Sequence, residues 1–303
     1  MSYIASPATR AHASRKGVDL DDVARATGRT QIAQEDIDRH ISGDAATTAP
    51  TSDHGRYWDV DHAGYGSVRS EELPRLAQLA ASNLGAANAM IPQVTHHDRA
   101  DTRAVEALRK ALRTEADDRG VKLTALAFHV RTLARCLEEF PRFNASLSPD
   151  GLALTLKDYV HIGIAVDTPH GLMVPVIRNA NRKGLWQIAG EIGDLALRAQ
   201  ARKIRPEEMG GASMTISNLG GIGGTAFTPI VNPPEVAILG ITRTETVPHW
   251  NGEDWEPVPM VPLDLSYDHR VVNGADAARF LVRYARIFAD PRHLVLAPTR
   301  QAA

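Results

Sequence analysis

A chain of 303 residues is longer than one small domain needs and long enough to bury a substantial core. Its 34 Lys and Arg are balanced by 36 Asp and Glu, which leaves no bulk-electrostatic case for a nucleic-acid or anionic-membrane partner. One cysteine, Cys136, excludes an intramolecular disulfide framework; no apolar run approaches the ~20 residues of a membrane span, and the N-terminus lacks the apolar core of a signal peptide, so a reduced, cytoplasmic protein is expected.

Ser6-Pro7 reads as a helix start and Gly17 as its stop, and Gln34 to Ile41 predicts a second short helix ending at Ser42-Gly43. Residues 44–56 are rich in Ala, Thr, Pro and Ser and read as flexible linker. The expected organisation is a small helical domain over 1–43, a linker over 44–66 and a main domain over 67–303. In the main domain Val105, Leu108 and Leu112 mark an amphipathic helix, and Leu123, Leu126, Val130, Leu133 and Leu137 a broader one that takes Cys136 into the core. Strands are predicted at 152–156, 160–166 and 172–177, the last two joined by the reversal Asp167-Thr168-Pro169-His170-Gly171. A helix over 185–202, a helix start at Pro206 and a strand over 213–217 follow. Gly220, Gly221, Gly223 and Gly224 fit neither a dinucleotide fingerprint nor a Walker loop, and are read as tight turns at a subunit or substrate surface.

Alternation from Pro259 to Tyr267 predicts a strand, and Ala277, Leu281, Tyr284 and Phe288 a helix after it. His269 therefore stands at a strand-to-helix junction, where a rigid scaffold displays side chains; it is a candidate general base, with a structural histidine and a simple Asn273 helix cap as the bland alternative. Helices and strands without regular βαβ repetition indicate an α+β layered domain.

The runs IPQVTHHDRADTRAVEALRKAL, PRFNASL, HIGIAVDTPHGLMVPVIRNANRKGL, TISNLGGIGGTAFTPIVNPPEVAILGI and SYDHRVVNGADAARF span about residues 67 to 290 in order. Together they closely resemble the catalytic domain of the dihydrolipoamide acyltransferases of 2-oxo acid dehydrogenase complexes, especially the bacterial acetyltransferases of pyruvate dehydrogenase. The resemblance implies a chloramphenicol acetyltransferase-like fold, a homotrimer with active sites between subunits, assembly into a larger core, and acetyl transfer between a lipoyl group and coenzyme A without a metal. His269 falls on the family's catalytic histidine and Ser217 on the hydroxyl that stabilises the oxyanion. Many members carry Asp where this chain has Asn273, so an orienting rather than an electrostatic role is expected there. SPATRAHASRKGVDL and IAQEDIDRHI resemble the all-α peripheral subunit-binding domain, which docks the 2-oxo acid dehydrogenase or dihydrolipoamide dehydrogenase subunits, although only Gly28 of the usual glycines is kept and Gln31 fills a slot that is usually Arg. Gly85 to Ala89 replace a bulky basic run, removing an Arg and a Trp. No lipoyl motif occurs, so the lipoyl carrier is expected on a separate polypeptide, while a shortened sequence would look the same. The alternatives are a scaffold of the complex core with little activity and a small-molecule acetyltransferase using acetyl-coenzyme A.

Overall fold

The structure is a computed structural model that describes residues 4–27, 31–42 and 60–295. The chain divides into two compact units, Met1–Glu71 and Glu72–Ala303.

In the first unit, β1 (Ile4–Ala5) is followed by α1 (Pro7–Lys16), α2 (Leu20–Thr27), β2 (Gln31–Ile32) and α3 (Gln34–Ser42). Ser6 caps α1 by accepting from the Thr9 amide at 3.1 Å, and Gly17 ends it at φ 68, the left-handed conformation that glycine adopts without strain. The sequence predicts two helices here, and three are present among the described residues. Leu20, Val23 and Ala24 recur at helical spacing and bury with Ile37, so the intervening stretch closes this small core as α2. Arg25 pairs with Asp22, and the Arg10 Nε donates to the Ala5 carbonyl. Gly28, Arg29 and most of the expected linker lie outside the described residues.

The second unit runs α4 (Arg75–Met90), β3 (Gln93–Asp101), α5 (Arg103–Ala111), α6 (Arg113–Asp118), α7 (Ala125–Glu139), β4 (Ala145–Leu147), β5 (Leu154–Leu156), β6 (Ile162–Ile164), β7 (Val176–Ile177) and α8 (Leu185–Gln200). It continues with β8 (Met214–Asn218), β9 (Ala237–Ile241), β10 (Glu245–Trp250), β11 (Trp255–Asp268), α9 (Gly274–Ala289) and α10 (Arg292–Val295). Seven strands make one mixed sheet in the order β10-β11-β9-β8-β6-β7, with β3 also paired to β11; β6, β8 and β9 are parallel and the other pairs antiparallel. The fold is thus α+β, as expected. Strand side chains alternate between faces, so Met214, Ile216, Leu239, Leu263, Leu265 and Tyr267 share one core with α7, α8 and α9. Each such fully buried side chain contributes roughly 1.5–3 kcal/mol.

The opposite sheet face is the more polar one, although Ile238 is buried on it beside Thr215 and Ser266. Thr215, Asp264 and Ser266 are buried on it, partly beneath the glycine-rich segment 219–234, whose Phe227 amide donates to Asp264 and whose Val231 amide donates to Gln93. Gly223 and Gly224 turn that segment at positive φ, 147 and 89. α4 differs from every other long helix of the unit: only Ala87 is buried, while Leu76, Leu79, Leu84 and Met90 are exposed. Among the described residues no helix is long and apolar enough to cross a membrane.

Candidate active site

β11 ends at Asp268, and the turn after it is fastened from several sides. The Asp268 amide donates to the Val236 carbonyl at 2.8 Å, and its own carbonyl accepts from the Val271 and Val272 amides, both at 3.0 Å. Its buried carboxylate accepts from the Arg270 amide and guanidinium, with Nη2 at 2.7 Å. Arg142 donates twice to the Val271 carbonyl, at 3.2 and 3.0 Å. Held in this frame, His269 donates its amide to the Pro92 carbonyl at 3.1 Å and leaves its ring exposed, 5.7 Å from the Tyr267 ring. Among the described residues the imidazole has no hydrogen-bond partner. A solvent-reachable imidazole on a rigid turn is the arrangement a general base requires.

Four residues on, Asn273 adopts φ −93, ψ 164 and its Oδ1 accepts from the Asp276 amide at 2.9 Å, capping α9. The carbonyl end of the side chain is thereby committed to the helix. A cap of this kind also fixes where the His269 turn meets α9.

Ser217 lies at the far end of β8. Met214 and Ile216 enter the core, so Thr215 and Ser217 point to the polar face, where the half-buried Ser217 hydroxyl has no hydrogen-bond partner among the described residues. On the same face Thr215 donates at 2.9 Å to the buried Glu235 carboxyl. Burial pushes that carboxyl up to about 7. This packing needs glycine at 163, since a Cβ there would lie 2.5 Å from the Thr215 Oγ1.

The structure brings His269 and Asn273 together and keeps Ser217 away from them. Ser217 pairs with Gly240, and Gly240 with Asp264, five residues before His269. β9 and β11 are antiparallel, so Ser217 sits at one end of the sheet and His269 at the other. Strand spacing of 4.7–4.9 Å and a rise of about 3.3 Å per residue put the two roughly 20 Å apart. Within one copy they cannot act on the same atom. Cys136, expected in the core, is buried, and burial raises its thiol so far that it is no thiolate nucleophile. Asp268, Arg270 and Arg142, the frame of the histidine, escape a reading of the sequence alone. The Asp-His-Arg order offers a local signal for the first two, whereas Arg142 is brought to the turn only by the tertiary fold.

The chain matches the family described as 2-oxoacid dehydrogenases acyltransferase (catalytic domain) over residues 65–296. It is 45% identical over 300 residues, 96% of its length, to the dihydrolipoyllysine-residue acetyltransferase component of the pyruvate dehydrogenase complex of Pseudomonas aeruginosa, of which it covers 55%. It thus spans about half the length of such curated relatives. A crystallographic and enzymatic study of a serine, a histidine and an asparagine in the catalytic mechanism of the Azotobacter vinelandii dihydrolipoamide acetyltransferase supplies a structure 50% identical, with TM-score 0.77, covering 78% of this chain and 98% of that one. The cubic core of the pyruvate dehydrogenase multienzyme complex matches with the same TM-score, identity and coverage. The chain belongs to the 2-oxoacid dehydrogenase acyltransferase family, and residues 65–296 are its catalytic domain.

Proposed function

We propose that this chain transfers an acetyl group between coenzyme A and the lipoyl group of a carrier protein, as a catalytic subunit of a pyruvate dehydrogenase-type core. The observation that carries the reading is the exposed His269 imidazole on the turn clamped by Asp268, Arg270 and Arg142. Support comes from the Azotobacter vinelandii enzyme, whose serine, histidine and asparagine are separated by 52 and 4 residues, the separations of Ser217, His269 and Asn273.

A thiol with a pKa near 8.5 is mostly protonated at pH 7, so a neutral imidazole in reach suffices to remove its proton. His269 takes the proton from the coenzyme A thiol as the sulfur attacks the acyl carbonyl. Ser217 donates to the oxygen that becomes negative, a contribution on the order of 3 kcal/mol for such donors. The carbon–sulfur bond to the lipoyl group then breaks, and His269 returns the proton to the departing thiolate. Asn273 orients the histidine turn through α9 and supplies no charge.

Because Ser217 and His269 lie at opposite ends of the sheet of one copy, a complete site takes its serine from one subunit and its histidine from another, and we assign the chain to a homotrimer that assembles further. The exposed leucines of α4 provide apolar surface for such self-association. Residues 1–43 are assigned to docking of dehydrogenase subunits.

The test is acetyl transfer from acetyl-coenzyme A to dihydrolipoamide, or to a separately expressed lipoyl domain, beside His269→Ala. Transfer lowered at least ~100-fold in the variant, with assembly intact, is expected from loss of a general base; no transfer by a folded, oligomeric wild type would overturn the reading.

A further inference from the structure

Register carries one row of residues straight across the polar sheet face. Ser217 on β8 pairs with Gly240 on β9, Gly240 with Asp264 on β11, and Asp264 with His97 on β3. Paired residues share a face, so Ser217, Asp264 and His97 all rise from the same side. Three strand spacings of roughly 4.8 Å put Ser217 and His97 about 14 Å apart.

At the far end of this row the His97 Nδ1 lies 2.6 Å from the Asp264 Oδ1. The Asp264 side chain is 1% exposed and its second oxygen accepts from the Phe227 amide at 3.3 Å, whereas the His97 side chain is 49% exposed. A carboxylate only accepts, so the ring donates from Nδ1, and in the neutral imidazole Nε2 is then the acceptor. Between the two ends, Gly240 has no side chain, and the Phe227 ring occupies that space: a Cβ on Gly240 would lie 2.6 Å from the Phe227 Cε1. The row therefore presents a hydroxyl, then an aromatic floor, then one fixed hydrogen-bond acceptor.

We infer that His97 anchors the acyl carrier by accepting a hydrogen bond from the amide of the lipoyl arm while that arm lies over Phe227 with its thiol at Ser217. This rests on the acetyltransferase reading. A lipoyl arm has a run of methylenes after its sulfurs and then a single amide, matching an apolar floor followed by one acceptor. A pantetheine arm carries an amide close to its thiol, which this row would set over the aromatic ring without a partner. His97 is a positioning residue that acts on binding of one of the two thiols, and Asp264 fixes its tautomer.

The experiment compares dihydrolipoamide with dihydrolipoate, which lacks the amide donor, as acceptors of acetyl from acetyl-coenzyme A. Wild type, His97→Phe and the double variant His97→Phe with Asp264→Ser are measured; the double variant removes the buried carboxylate with its partner, so that folding does not confound the result. The wild type is expected to favour dihydrolipoamide. Both variants should raise its KM about fivefold to tenfold, as loss of one hydrogen bond does, and erase the preference, with kcat and the KM for acetyl-coenzyme A unchanged. A rise in the acetyl-coenzyme A KM instead would assign His97 to the other carrier and overturn the inference, as would a fall in kcat alone or an undiminished preference in the double variant. If the wild type transfers acetyl to neither thiol, the functional reading fails and the inference with it; an active wild type with unaltered variants overturns the inference alone.

Discussion

Glu235 lies two residues before β9, buried against Thr215, and its carboxyl is the one in this unit that burial shifts furthest upward. Burial pushes it up to about 7, against the Thr215 hydroxyl bond and the charge of Lys157, which both pull it down. A carboxyl whose folded pKa is raised above its ordinary 4.5 contributes stability that is fully present below 4.5 and lost as pH rises through about 7. The shift corresponds to roughly 3 kcal/mol. Glu235→Gln keeps an acceptor for Thr215 and removes the charge. The wild type should therefore lose stability relative to this variant between pH 5 and pH 8. Denaturant unfolding of both proteins across that range checks this, and parallel profiles would contradict it.

At the scale of elements, α7 and α9 meet through a buried polar pair. The Tyr284 hydroxyl lies 2.8 Å from the His129 Nδ1, the His129 ring stacks on Phe288 at 4.2 Å, and burial pushes the imidazole down to about 3, so it is neutral at pH 7. Tyr284→Phe would strand a buried nitrogen and should cost about 1–3 kcal/mol, whereas adding His129→Leu should recover most of that loss. A double-mutant cycle by chemical denaturation measures it; additive losses would show that the pair is not coupled. These helices are legible in the sequence because each buries one stripe, as are β11 and the histidine junction, where Leu263 and Leu265 alternate with residues of the other face. α4 is not, since with nearly every side chain exposed it carries no stripe. β3 escapes as well, because Thr95 and His97 are polar and find their partners Ser266 and Asp264 171 and 167 residues further along the chain. Neither propensity nor spacing reports such a register.

The whole molecule decides whether the candidate residues can meet. Ser217 and His269 are both legible as positions, but their placement at opposite ends of one sheet follows from strand direction, which no local pattern encodes. If each site draws its serine from one copy and its histidine from another, two inactive variants should complement. His269→Ala retains the serine and Ser217→Ala retains the histidine, so an equal mixture co-assembled from separated subunits contains intact sites wherever the two meet in the right order. Random association makes that about a quarter of all sites. The mixture should therefore recover about a quarter of wild-type acetyl transfer, while each variant assembled alone stays at its residual rate. Mixing preformed oligomers without subunit exchange should recover nothing, which separates shared sites from simple addition. A co-assembled mixture of normal size that remained inactive would contradict the shared site and require serine and histidine to act within one copy, across a separation of roughly 20 Å that the strand geometry forbids.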